Sequence, residues 1–373
     1  MSLTTTQTLL WCLDVVDQQP PEDNDLRNQL SQAFSHDLVK VESPLDTIHR
    51  LSFAPLQLAM TKVAIDLNLF EMLVSQGRSM SVHELAQATG AHDVLLGRIL
   101  RYLAAFSLVA ETSVDQFAAT PVTQGLAVPG FAAGIKHHFD VQLPAWAALP
   151  DFLRESEYQN PSDRQRTAFQ CAHHTDHTVF TWFMAHPELS ADFSAWMAAQ
   201  RNGERTWLDV FPLDRLVMKT APTPAPLFVD IAGQARSARG PCPSRRSAVP
   251  HPRVERLAHD FWTPQPVTGA TFYYMRNVLH EYPDAQCVKL LQLQLAAMGP
   301  DSVLLVDELI RPPAGAPRAF VDMDIAVMAC LAAQERTQEQ WEHIFRSAGL
   351  YLVEVLPYVA RLGHSVMVVK LSY

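Results

Sequence analysis

Between Leu227 and Asp284 the chain reads LFVDIAGQARSARGPCPSRRSAVPHPRVERLAHDFWTPQPVTGATFYYMRNVLHEYPD, and what this stretch can fold into limits everything around it. It opens on a run of strand formers, Leu227-Phe228-Val229-Asp230-Ile231, and closes on a second apolar run leading into Arg276-Asn277-Val278-Leu279-His280-Glu281. An α/β domain that takes a nucleotide needs a glycine-rich turn after its first strand, where backbone N–H groups approach the ligand. It also needs an acidic residue about 20 residues on, for the ribose hydroxyls. Here the turn is Ala232-Gly233-Gln234-Ala235. The residues that follow, Arg236 to Arg246, carry no apolar period of 2 or 3.6, and no acidic residue stands between Asp230 and Glu255. Asp230 and Gly233 are what remains of the pattern.

The flanks are regular. After Leu227, strand and helix patterns alternate, which predicts a parallel sheet with covering helices. Strands are expected at 227–231, 271–275, 303–306 and 366–369, and helices at 283–298, 320–331 and 337–348, the last closed by Gly349. This α/β part takes in 217–373.

Before it, the aromatic-rich stretch 128–216 reads as helical, with Phe139, Trp146, Phe152, Phe169, Phe180, Trp182, Phe183, Met184, Phe193, Trp196 and Met197. Such residues fill a core or line an apolar pocket for a flat ligand, and the pattern leaves both open.

The N-terminal third is compact. Residues 1–45 suggest a helical arm, with Leu9, Leu10, Leu13 and Val16 at helical spacing until Pro20-Pro21 interrupts them. One helix is expected over 54–73, its apolar face made by Leu56, Met60, Val63, Ala64, Leu67 and Phe70. Ser81 and Glu84 form a capping box that opens a short helix, and Gly90 closes it. A second helix from Asp93 to Phe106 and a two-stranded wing complete a winged-helix pattern within 46–127. A DNA-reading helix needs cations and amides along its exposed face, yet this one offers Arg98 and Arg101 in a chain of net charge −10. Dimerisation, not nucleic-acid binding, is the expected role.

Five dispersed cysteines show no metal-ligand spacing and fit a reducing compartment. No run approaches the 18 apolar residues of a membrane span, and the first residues lack the basic start of a secretory signal. A cytoplasmic protein without a metal or a membrane partner is expected.

Three polar residues stand where a parallel sheet would bring them to its ligand crevice. His280 follows the run Phe272-Tyr273-Tyr274-Met275, Glu308 closes the strand that starts at Val303, and Glu335 lies just before a helix. A histidine flanked by carboxylates is a general-base arrangement, since the carboxylates fix its tautomer and stabilise its cation.

With these residues the chain resembles the plant and fungal small-molecule O-methyltransferases that use S-adenosylmethionine. The likeness rests on the winged-helix pattern, on Trp182-Phe183-Met184-Ala185-His186-Pro187-Glu188, Leu227 to Ile231 and Ala258-His259-Asp260-Phe261, and on Tyr274 to His280, Val306-Asp307-Glu308 and Glu335-Arg336-Thr337. It implies a winged-helix dimerisation domain followed by a Rossmann-like methyltransferase domain, shortened after its first strand. It implies His280 as base with Glu308 and Glu335 orienting it. The donor would be held by Asp230, Gly233, Asp260, Phe261 and Arg276. An aromatic or polyketide-like acceptor would lie among Phe139, Trp146, Phe180, Trp182, Met184, Asn277 and Met328. A homodimer and metal-independent transfer follow from the same likeness.

The family carries a run such as G-G-G-x-G after its first strand and an acid at the end of its second. Between Asp230 and His259 this chain is ~15–20 residues short, roughly one helix plus one strand. Three readings stay open. The donor is held in a remodelled segment, with His259 and Trp262 stacking on the adenine; or the pocket catalyses a donor-independent cyclisation or pericyclic step; or residues 234–250 derive from a mis-spliced exon and the chain is inactive.

Overall fold

The structure is a computed structural model that describes residues 42–200, 203, 205–212, 226–231, 255, 257–359 and 362–372. The expected arm up to residue 41 and the aperiodic stretch 232–254, Gly233 included, lie outside the described residues.

Two compact units divide the chain, Met1–Ala54 and Pro55–Tyr373. In the first, Arg50 grips Glu42 through two hydrogen bonds of 2.9 and 3.0 Å, while Leu45, Ile48, Leu51 and Phe53 are exposed.

Helix α1 spans Pro44–Asp66 and α2 spans Leu69–Gln76. The single helix expected over 54–73 is therefore two. Asn68 breaks it by turning left-handed (φ 53°), a conformation that Asn tolerates better than most residues.

Strand β1 (Met80–Ser81), α3 (Val82–Thr89), α4 (Asp93–Ala105), β2 (Ala110–Ser113) and β3 (Gln116–Ala118) complete the winged helix, its antiparallel sheet ordered β1-β3-β2. The capping box forms as its spacing predicts. Ser81 Oγ accepts the Glu84 N–H at 3.1 Å, and the Glu84 carboxylate accepts the Ser81 N–H at 2.7 Å. Gly90 ends α3 at φ 73°, where its N–H closes on the Ala86 carbonyl. Leu69, Phe70, Leu73, Leu85, Leu96, Leu100 and Phe117 are wholly buried in one cluster. On α4, Arg101 pairs with Asp115 at 2.8 Å, so half of the already sparse cationic face is neutralised within the domain.

A helical layer follows: α5 (Pro121–Leu126), α6 (Pro129–His137), a π-helical turn (His138–Gln142), α7 (Leu143–Glu155), α8 (Ala168–His173), α9 (Val179–Ala185) and α10 (Pro187–Ala199). Helices α6 and α10 meet closely because Gly134 has no side chain; a Cβ there would come within 2.7 Å of the Trp196 ring.

The C-terminal sheet combines β4 (Phe228–Asp230), β5 (Phe272–Arg276), β6 (Val303–Arg311), β7 (Arg336–Thr337), β8 (Leu350–Val359) and β9 (His364–Leu371) with α11 (Asp284–Leu295), α12 (Arg318–Leu331) and α13 (Gln338–Ala348). Its order is β4-β5-β6-β9-β8, with β7 beside β6. Strands β4 to β6 run parallel, but β9 is antiparallel to both β6 and β8, so the sheet is mixed and not parallel as expected. The sequence pattern misses β8 because Glu354 and Pro357 interrupt its apolar run. The structure accommodates them at register shifts after Leu352 and Pro357, on the strand that ends the sheet.

Both faces of the sheet are covered. Tyr273, Met275, Leu304, Val306 and Met367 pack against Leu290 and Leu291 of α11 and Trp341 and Phe345 of α13. Phe272, Tyr274, Leu305, Val366 and Val368 pack against Trp207 and Phe211. Because strand residues alternate between faces, Asp307 and Glu308 in the middle of β6 project to opposite sides.

Candidate active site

His280 sits in a 3-10 turn, Leu279–Glu281, just beyond the C-terminal end of β5. Its Nδ1 lies 2.8 Å from Glu335 Oε1, and both side chains are buried. Glu308 acts elsewhere on the same turn. Its Oε1 accepts the backbone N–H groups of Val278 (2.9 Å), Leu279 (2.8 Å) and His280 (3.4 Å). Those donors would otherwise be orphans at the start of a helical turn, so the carboxylate caps the turn and fixes where the imidazole leaves the backbone. The expectation that Glu308 closes its strand needs correction: β6 runs on to Arg311, and Glu308 faces Ser365 of β9 within the ladder.

Two residues whose part the sequence did not disclose complete the frame. Asp324 of α12 accepts the Glu335 N–H at 2.7 Å. Arg336, wholly buried, pairs with Asp284 at 2.7 Å, donates to the carbonyls of Tyr282 (2.7 Å) and Leu279 (3.3 Å), and lies over the Trp341 ring at 4.9 Å. The same two carbonyls also accept the Cys287 thiol. The turn is thus held by its N–H groups from one side and by its carbonyls from the other. The quoted run Glu335-Arg336-Thr337 held the signal for Arg336, since an arginine so close to apolar core positions has to find several acceptors.

The electrostatics follow from burial. Burial alone would lower the His280 pKa, but Glu335 and then Glu308 outweigh it and the imidazole is pushed up to about 10. The contact with Glu335 therefore favours the protonated imidazole. Burial pushes Glu308 up to about 7 against the pull of that cation, and Glu281 likewise up to about 7.

On the opposite face, Asp307 accepts the hydroxyls of Tyr274 and Tyr358, each at 2.6 Å, and Arg276 Nε lies 3.5 Å from it. Asp230 ends β4 in register with Tyr274 and is exposed. Asp260 caps its own turn, its Oδ1 accepting the Trp262 N–H at 3.1 Å, and half-buried Phe261 sets its ring 6.4 Å from that of Tyr282, next to the base turn. Asn277 Oδ1 and His259 Nε2 are buried without partners among the described residues. The orphaned His259 Nε2, adjoining Asp260 and Phe261 in the chain, is a polar atom that a nucleoside would satisfy.

The expected acceptor residues divide. Trp182 is buried and stacks on His186 at 3.8 Å, edge-on to Phe169 at 5.4 Å. Phe180 packs half-buried against Phe183 and Phe193, Trp146 lies beside His138, and Phe139 lies under Lys62 at 5.9 Å. Met328 of α12 is half-buried, while Met184 is 56% exposed and outside the cluster. Among the described residues no group of His, Cys, Asp or Glu could hold a metal ion, and no helix is long and apolar enough to cross a membrane.

A winged helix ahead of a mixed α/β sheet, with a buried His–Glu pair at the strand ends, defines the class of small-molecule O-methyltransferases. The sequence matches the O-methyltransferase dimerisation domain over residues 52–128 and the O-methyltransferase domain over residues 216–351. It is 35% identical over 329 residues to the demethylsterigmatocystin 6-O-methyltransferase of Aspergillus flavus, covering 84% of this chain and 85% of that one. The structure superposes on LepI in complex with SAM at a TM-score of 0.89 and 31% identity, covering 99% of this chain and all of LepI. It superposes equally well on a structure described as a pericyclic reaction enzyme, with 31% identity, a TM-score of 0.89, and 98% and 100% coverage. The chain belongs to the S-adenosylmethionine-dependent O-methyltransferase family of fungal secondary metabolism, a family of transferases.

Proposed function

We propose that this enzyme methylates a hydroxyl of an aromatic or polyketide-like small molecule, with His280 as base and Glu335 and Glu308 fixing it. The observation that carries the reading is the buried 2.8 Å contact of His280 Nδ1 with Glu335, which leaves Nε2 as the ring nitrogen without a protein partner among the described residues. Asp230, Asp260, Phe261 and Arg276 would hold S-adenosylmethionine. When bound, that donor supplies an electrophilic methyl on a positively charged sulfur. His280 takes the acceptor's hydroxyl proton at Nε2, and Glu335 stabilises the cation so formed. Glu308 keeps the turn still, so the imidazole meets the hydroxyl in one orientation. Phe139, Trp146, Phe180, Trp182, Met184, Asn277 and Met328 are the side chains proposed around the acceptor. A homodimer belongs to the reading, supported by the dimerisation-domain match and by the exposed apolar side chains of α1.

A second reading, donor-independent cyclisation, has its own support. An imidazolium held by Glu335 through Nδ1 would have Nε2 as a hydrogen-bond donor to a carbonyl, and one similar structure is described as a pericyclic enzyme.

Calorimetric titration with S-adenosylmethionine and S-adenosylhomocysteine separates the two. Micromolar binding is expected, followed by methyl transfer to phenolic acceptors. No binding at millimolar donor would overturn methyl transfer.

A further inference from the structure

The base turn is also met from outside the sheet, by a contact that the mechanism above does not use. Arg164 lies in the segment between α7 and α8, and its guanidinium carbon sits 4.1 Å from the ring centre of Tyr282, two residues after His280. A cation over an aromatic face is attracted by the ring quadrupole, and a flat guanidinium stacked there sets where the ring lies. The same cation bears on the residue between. Burial pushes the Glu281 carboxyl up to about 7, while the charges of His280 and Arg164 work in the other direction. Arg164 therefore meets two consecutive side chains beside the base, Glu281 by charge and Tyr282 through its ring and hydroxyl.

The other end of Arg164 is tied to the helical layer. Gln170, 8% exposed, takes the Thr167 N–H on its carbonyl oxygen at 2.8 Å. Its amide nitrogen donates to the Arg164 carbonyl at 3.1 Å and to the His177 carbonyl at 3.0 Å. Val179, two residues beyond His177, begins α9, which brings Trp182 and Phe183 into one cluster with Phe169 of α8. A continuous series of contacts thus runs from the aromatic side chains of α9, through a buried amide and a guanidinium, to the residues that follow the base. Glu308, Glu335, Arg336 and Cys287, which hold the turn's main chain and the imidazole, all belong to the C-terminal sheet and its connections. They fix His280 relative to the sheet, not to the helices. Ala329 and Cys330 of α12 also join the two layers by packing in the Trp182 cluster, but apolar contact is non-directional and sets no register.

We propose that Arg164 is a positioning residue that keeps the base turn in register with the helical layer on which the acceptor lies. This rests on the reading above, in which Phe180 and Trp182 stand around the acceptor, and it adds how the hydroxyl and Nε2 are brought to one distance. Misplacement by ~1 Å is enough to cost on the order of 10²-fold in rate. Arg164 acts through Tyr282 and Glu281 and touches no reacting atom.

The test is amide hydrogen exchange, read by mass spectrometry on the full-length protein without acceptor, in wild type, Arg164→Gln and Arg164→Lys. Arg164→Gln should speed exchange of residues 278–282 about tenfold, the loss expected for a partly buried cation–ring contact, while β6 exchanges as in wild type. Arg164→Lys, which keeps a cation over the ring, should recover part of the protection. In protein labelled at histidine, the His280 Cε1–H resonance, assigned by its loss in His280→Ala, should move in Arg164→Gln and return toward its wild-type position in Arg164→Lys. Unchanged exchange at 278–282 overturns the proposal, as does faster exchange that extends through β6, which would make Arg164 a general stabiliser. A His280 resonance that stays in place overturns it too, as does a lysine variant no better protected than the glutamine one. None of these readouts uses donor or acceptor. A failure of methyl transfer, shown by absent donor binding, is therefore told apart from a failure of Arg164 to hold the turn.

Discussion

The base turn and the donor edge lie on neighbouring strands of one sheet and are built on different principles. Around His280 nearly every polar contact joins residues far apart in sequence: Val278 to Glu308, Glu335 to His280, Arg336 to Tyr282. All of these are buried, and the main-chain groups of the turn are taken up on both sides. Among the residues proposed for the donor, Arg276 reaches Asp307 and Phe261 meets Tyr282, but Asp260 is held locally. Asp260 satisfies an N–H two residues on, β4 is three residues long, and Phe228 and Asp230 are exposed. A base held by tertiary structure survives changes in nearby loops, whereas Asp260 depends on its own turn.

The largest expected effect tests the first half of that contrast. His280→Ala should cost on the order of 10²–10⁴ in turnover while leaving S-adenosylhomocysteine affinity unchanged; full retention of activity would place the chemistry elsewhere. Arg336→Met should lower unfolding free energy by about 3 kcal/mol, read from denaturant midpoints, since it strips two carbonyls and Asp284 of their buried partner. A loss below about 1 kcal/mol would mean that Glu308 and Cys287 hold the turn without it.

The pH dependence sharpens the contrast further. Because the folded pKa of His280 is raised above its ordinary 6.5, its contribution to stability is complete below that pH and is lost as pH rises through about 10. In Glu335→Gln the histidine loses its partner, so the decline in stability should begin at lower pH. Rates discriminate between the two chemistries over the same interval. A base must shed its resting proton, so methyl transfer should rise with pH, and Glu335→Gln should move that rise to lower pH. A cyclisation that relies on the imidazolium should instead fall. The smallest effect belongs to the donor edge: Asp260→Asn keeps the acceptor for the Trp262 N–H, so stability should change by less than about 0.5 kcal/mol while donor affinity drops a few-fold. An unaltered affinity would remove Asp260 from the donor site.

What the sequence made legible follows the range of the interactions. The Ser81–Glu84 box and the Gly90 and Gly349 helix ends are written within a few residues, and they form as read. The break at Asn68 was also local and could have been found, since Asn before a fresh apolar run is a known left-handed stop. Strand β8 was hidden because an antiparallel strand at a sheet's end can carry Glu and Pro at bulges, and the rule of continuous apolar runs was written for buried parallel strands. The site divides the same way. His280 and Glu335 were read from their places at strand ends and loops and from family likeness, since 55 residues separate them and no local spacing pairs them. Nothing local told Glu308 to serve backbone N–H groups instead of the ring.

Asp307 and Glu308 are consecutive residues with unrelated partners, one gripping two phenols on the Trp207 side and the other the base turn on the helical side. A single-residue insertion upstream in β6 would put Asp307 under the turn and Val306 between the tyrosines, and a deletion would put Glu308 between the tyrosines and Leu309 under the turn. Point substitution can therefore tune this strand, but a frame change of one residue within it disables both networks at once.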